Sequence, residues 1–107
     1  MNYQEAMTDL ISHIKEDFES NGYTHLSVED IDIEVLSGSK YDKIIENGRH
    51  GGRVIGFVCK KDNPKKGFNI GDILMAASYN APSTNFARGS IFDPQTYRAR
   101  VRFHGIV

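Results

Sequence analysis

Three arginines stand two residues apart in "YRARVRFH", residues 97–104: Arg98, Arg100 and Arg102, with His104 following at the same spacing. Side chains alternate along a strand, so a strand here would carry these four on one face and turn Ala99, Val101 and Phe103 toward a core. Guanidinium groups about 7 Å apart can each donate a forked pair of hydrogen bonds to phosphate or carboxylate. Arginine rows also guard sheet edges against aggregation, and Asp32 and Glu34 are acids with which this row could pair instead. A second set of donors lies in "ENGRHGGR", where Arg49, His50 and Arg53 stand among Gly48, Gly51 and Gly52. Glycines let a backbone approach a ligand closely. The spacing is neither that of a P-loop nor that of a dinucleotide fingerprint, and a hairpin connection is the competing reading. The third set is "NAPSTNFARGSIF", residues 80–92, where Arg88 is expected to project from a rigid loop beside free amides and hydroxyls. Tyr79 precedes the loop and could cover Arg88 or stack on a base. Such an arginine could equally cap backbone carbonyls. The basic run "KKDNPKK" at 60–66 reads as a solvated turn.

Catalytic and metal chemistry find less support. None of His13, His25, His50 and His104 stands four residues from another or in a metal-binding spacing with a carboxylate. Ser83, Thr84 and Ser90 lack the surroundings of a nucleophile elbow. The carboxylates gather near the N-terminus, where a solvated face accounts for them. The expectation is a chain that is not an enzyme, with no cofactor and no metal. Cys59 is the single cysteine, which excludes an internal disulfide and a cysteine-based zinc site and fits a reducing, intracellular setting. Within the apolar run "VIGFVC" it is expected to be a buried structural thiol.

The net charge of −1 conceals an asymmetry: residues 1–34 carry nine acids and one base, a charge of −8, and residues 35–107 carry twelve bases and five acids, a charge of +7. A basic body of this kind suits phosphates or acidic partners; the two parts could equally attract each other within the fold or across a dimer. At 107 residues, 39% hydrophobic and 25% charged, the composition is that of one soluble globular domain. No run reaches the roughly 20 apolar residues of a membrane span, and "MNYQEAMTDL" has no signal-peptide character. Cytoplasmic location and no membrane partner are expected.

The elements that must position these residues follow from periodicity. Tyr3, Met7, Leu10, Ile11, Ile14 and Phe18 form a helical apolar stripe ended by Asn21-Gly22, predicting a helix over about 3–20 with Glu5, Asp9, Glu16 and Glu19 on its solvated face. Ser27 and Asp30 predict a short capped turn. Ile31, Ile33 and Val35 alternate with Asp32 and Glu34 as in a half-buried strand broken at 37–39. Further strands are predicted over 40–45, 53–61 (the most apolar, hence central) and 72–79, with turns between, and a last strand from 97 onward. Pro82 should stop the strand before it, Gly89 should take a positive φ, and Ile91 and Phe92 should return the chain to the core. The fold class is α+β: an N-terminal acidic helix packed on an antiparallel sheet of four to six strands, the basic β-rich body spanning about 31–107 of a single domain.

"GFVCKKD" followed by "KGFNIGDILMAASYNAPSTNFARGSIFD" resembles a pattern in small accessory proteins of tailed bacteriophages. That pattern has a strand ending in a lysine or aspartate turn, a "GD" strand, an alanine/serine–aromatic pair, a proline and an "ARG" turn before an apolar residue. The resemblance covers about residues 54–93. Where the pattern has a lysine after the proline, this chain has Ser83 and Thr84. It implies a viral protein of accessory role acting in the cytoplasm of a host bacterium.

Together these readings lead to three expectations. The first is a binder of a phosphate-bearing ligand, such as a nucleotide immune signal of the host, sequestered by Arg88, Tyr79, Arg49, Arg53, Arg98, Arg100 and Arg102 in a pocket built between identical chains of a homo-oligomer. The second is nucleic-acid binding by the same basic face, with steep salt dependence. The third is a protein–protein inhibitor of a host enzyme that acts through the acidic helix.

Overall fold

The computed structural model describes residues 2–21, 32–47, 52–102 and 105–107. The acidic N-terminal sequence forms α1 (Tyr3–Asn21). Asn2 caps it, its Oδ1 accepting from the Glu5 amide at 2.8 Å. The buried stripe is Ala6, Met7, Leu10, Ile14 and Phe18, while Glu5, Asp9, Glu16 and Glu19 remain exposed. The predicted turn at Ser27, the start of the first strand at Ile31, and the loop residues Arg49 and His50 lie outside the described residues.

Four strands, β1 (Ile33–Ser37), β2 (Tyr41–Glu46), β3 (Arg53–Cys59) and β4 (Ile73–Leu74), form an antiparallel sheet in sequence order. The pleat puts Asp42, Ile44 and Val58 toward α1, and Tyr41, Phe57 and Cys59 on the opposite face. Ile55 interrupts the alternation. Ile44 pairs with Gly56 but Ile45 pairs with Val54, leaving Ile55 as the extra residue of a β-bulge. Positions 55 and 56 therefore point the same way. The second is glycine, and a Cβ there would come within 2.1 Å of Ile106 Cδ1, so any larger residue must displace that side chain.

The α1 side of the sheet holds the larger core, joining the helix to Ile44, Ile55, Val58, Ile73, Ile91, Tyr97, Val101 and Ile106. On the far side Phe57, Cys59, Phe68 and Leu74 form a smaller cluster. The architecture is thus the expected α+β helix on an antiparallel sheet, supplemented by two small hairpins.

Those hairpins correct the reading of two segments. The predicted strand over 72–79 divides: after β4 the chain changes partner, and β5 (Ala76–Ser78) pairs with β6 (Ala81–Pro82) in a separate two-stranded sheet. Pro82 sits inside this pairing rather than before it, opposite Ala76, and the next residue still donates from Ser83 N to Met75 O at 2.7 Å. Gly89 takes φ 144° as expected, with the Thr96 carbonyl 2.9 Å from where a Cβ would stand. Ile91 is fully buried as expected, but Phe92 is exposed, its ring edge-on to Tyr3.

The predicted last strand is not one strand. Asp93 caps a single helical turn, α2 (Pro94–Tyr97), with Pro94 opening it and the Gln95 amide donating to Asp93 Oδ1. Arg98 ends that turn, and only then do β7 (Val101–Arg102) and β8 (Gly105–Ile106) pair. Arg98, Arg100 and Arg102 therefore do not form a row on one strand face. Ala99, expected in the core, is exposed, whereas Val101 is buried; Phe103 and His104 lie outside the described residues.

Candidate phosphate-binding surface

The loop after β6 turns back along the edge of β4. Ile73 N donates to Gly89 O at 2.8 Å and Arg88 N to Ile73 O at 2.7 Å, so the backbone of residues 88 and 89 is fixed. Arg88 consequently points inward. It is 7% exposed, a correction to the projecting arginine expected from the sequence. Its Nη1 donates to Phe86 O at 2.9 Å and its Nη2 approaches Met75 Sδ at 3.9 Å. The buried Nε has no acceptor, and no carboxylate pairs with this guanidinium, among the described residues. The Phe86 ring takes the place of a counter-ion: Arg88 Cζ lies 3.7 Å from its centroid. Arg88 is thus the carbonyl-capping arginine of the alternative reading.

The arrangement holds Phe86, half exposed at 50%, over a stacked cation. Arg100 approaches the same ring, its Cζ 5.9 Å from the centroid, while its Nη1 donates to Val107 O at 3.3 Å. Arg98 lies two residues earlier and is exposed. An aromatic surface flanked by an exposed guanidinium group can stack a planar ring and bond an anion beside it. Phe86 was missed in the sequence because a lone phenylalanine in a polar loop gives no periodic signal; its spacing of two from Arg88 was the available clue.

The other candidates lie elsewhere. Arg102, expected to find an acid on the neighbouring strand or an external anion, pairs with Asp17 of α1, Nη1 to Oδ1 at 3.3 Å. Glu34 instead accepts from Asn47. Arg53 faces Glu46 across β2 and β3 at 3.9 Å. Tyr79 is exposed and makes no hydrogen bond or cation–ring contact with Arg88; Lys43 Nζ lies 4.1 Å from its ring centroid and donates to Asn80 Oδ1. Of the seven expected residues, the structure joins Arg88 and Arg100 through one ring and leaves Arg98 nearby in sequence. Arg49 is outside the described residues.

Three groups away from this surface have raised pKa values. Burial, with a smaller contribution from Asp72, pushes the Cys59 thiol up to about 11. Tyr3 is raised by burial and by its hydroxyl donating to Asp42 Oδ2 at 2.8 Å; Tyr97 is raised by burial and by Asp9. His13 donates from Nε2 to Val101 O at 2.8 Å, which fixes its tautomer. Among the described residues no three His, Cys, Asp or Glu side chains converge as metal ligands, and no helix is long and apolar enough to cross a membrane.

The chain is thus of the α+β class, with Arg88 and Arg100 against one aromatic ring. Comparison with known proteins yields no match to any family model, curated protein or solved structure.

Proposed function

We propose that this chain is a non-enzymatic binder of a phosphate-bearing ligand, with Phe86 as the stacking surface, Arg100 and Arg98 as phosphate contacts, and Arg88 as the buried support. The observation that carries the reading is the half-exposed Phe86 ring stacked on Arg88 at 3.7 Å with Arg100 at 5.9 Å. A nucleotide combines the planar ring and the phosphate that such a surface accommodates. In the setting implied by the phage resemblance, the ligand would be a nucleotide signal of bacterial defence, sequestered in the host cytoplasm by a homo-oligomer. Native mass spectrometry of protein purified gently from a bacterial host tests this. The expected result is an oligomer carrying a nucleotide-sized extra mass that disappears in Phe86→Ala. A bare protein that also fails to bind added mono-, di- and cyclic nucleotides would overturn it.

Nucleic-acid binding is the second proposal, favoured by Lys40, Lys61, Lys65 and Lys66, exposed together with Arg98 and Arg100. It requires log K to fall against log salt with a slope of about 0.7–0.9 for each phosphate contacted; a small ligand gives a shallow slope. The third proposal, an inhibitor of a host enzyme, draws on the exposed Glu5, Asp9, Glu16 and Glu19. Reversing Glu16 and Glu19 would then abolish activity and Arg100→Ala would not.

A further inference from the structure

A cleft of about 310 Å³ opens where the β1–β2 turn meets the segment after β3, on the sheet face opposite α1. Its volume is at the lower end of small-molecule sites, about 300–1,000 Å³. The floor is made by Tyr41, whose ring packs edge-on against Phe57 at 6.2 Å, and by the buried Cys59. With its thiol held protonated to about 11, Cys59 adds no negative charge at neutral pH. Lys40 and Ser39 form one wall, Lys61 and Asp62 the other. The backbone bond from Lys60 N to Lys40 O, at 2.9 Å, ties the two walls together.

The side chains sort by what already occupies them. Lys60 turns away, donating to Ser37 Oγ at 2.6 Å and to Gly38 O at 2.9 Å. Asp62 is fixed by the Ile70 amide, which donates to its Oδ1 at 2.8 Å. Lys40 and Lys61 have no carboxylate partner among the described residues. Two unpaired ammonium groups against one carboxylate leave the cleft cationic, so it draws an anion. Asp62 at the same time disfavours a bare anion and still has acceptor capacity for hydroxyl or amine donors. The Tyr41 ring offers an apolar surface for the C–H face of a sugar.

We propose that this cleft is a binding site for a phosphorylated sugar, free or as the sugar-phosphate part of a nucleotide, with phosphate between Lys40 and Lys61 and hydroxyls on Asp62. The site is separate from the Phe86 surface and does not depend on it. Amide chemical-shift titrations of the full chain with ribose 5-phosphate, AMP and inorganic phosphate test it. Ribose 5-phosphate should move the resonances of Ser39, Tyr41 and Lys61 and bind several-fold more tightly than inorganic phosphate. Lys40→Ala with Lys61→Ala should weaken it by about tenfold or more, the loss of at least one charge-assisted hydrogen bond. Asp62→Asn should erase the preference over inorganic phosphate, and Phe86→Ala should change nothing at the cleft. AMP binding equally well identifies the nucleotide form; AMP excluded identifies the free sugar phosphate. Unmoved cleft resonances, or equal binding of inorganic phosphate and ribose 5-phosphate, would overturn the proposal. The substituted lysines are at the surface and Asp62 is exposed, so all variants should fold.

Discussion

A guanidinium taken out of water without a carboxylate is costly unless its N–H groups and its faces are otherwise satisfied. Arg88 meets this with a carbonyl, a thioether and an aromatic face, while one buried N–H stays unmatched. Arg88→Met, which keeps the apolar stem and drops the charge, should therefore be neutral to stabilising in urea unfolding, whereas Arg88→Ala should cost about 2 kcal/mol through lost packing. Phe86→Ala should cost about 1–2 kcal/mol, since half the ring is already in water but the rest covers the buried Arg88 guanidinium, while removing ligand binding. Titratable residues give a further expectation. Cys59, Tyr3 and Tyr97 all hold their protons more tightly when folded. The unfolded chain therefore releases protons first, near pH 8.5 for cysteine and 10 for tyrosine. Stability should be fully present below about pH 8.5 and decline as pH rises beyond it. Melting temperatures at pH 8, 9.5 and 11 check the sign, and a thiol reagent at pH 8 should label Cys59 only as the protein unfolds.

At the level of elements, the helix and β1 were legible from their period, and β3 from its long apolar run. The stripe from Tyr3 to Phe18 and the alternation of 33–35 are the two periods. The failures have physical causes. Leu74, Met75 and Ala76 alternate faces like one strand, and their side chains do go to alternate clusters. What changes is the hydrogen-bond partner, from β3 to β6, and side-chain pattern carries no record of that. Between 97 and 104 the alternation of arginine with apolar residues imitates a strand, yet Asp93-Pro94 is a helix-start signal that outweighs it locally. The cap can be weighed directly: Asp93→Ala should lower stability by about 1 kcal/mol. It should also disturb Arg98 and Arg100, which follow the turn. Gly56→Ala is the sharper probe of packing. The bulge aims this position at Ile106, buried in the larger core, so one added methyl should cost about 1–3 kcal/mol. Its measure is a lower unfolding midpoint at unchanged denaturant slope.

For the molecule as a whole, charge was the most readable property and its disposition the least. Opposite charge in the two parts does meet within the fold at Arg102 and Asp17. The outer face of α1 nevertheless keeps its acids exposed, and Lys40, Lys61, Lys65, Lys66, Arg98 and Arg100 stay exposed on the body. A molecule with exposed acids on its helix and exposed bases on its body can associate head to tail. If it does, sedimentation at rising salt should show dissociation in the wild type, and Glu16→Lys with Glu19→Lys should dissociate it at low salt. An oligomer indifferent to both would place its interface elsewhere.

The contacts of α1 with β7 have a consequence in time rather than in space. His13 meets Val101 across 88 positions of sequence, and Asp17 meets Arg102 across 85. A chain emerging from the ribosome makes the apolar stripe of α1 long before the residues that help cover it. Closure over so long a loop is intrinsically slow. Nascent chains arrested before Val101 emerges should therefore leave Met7, Leu10 and Ile14 incompletely buried and α1 open to proteases. Arrest beyond Ile106 should protect it, so that docking of the acidic helix becomes a late, nearly all-or-none event in synthesis.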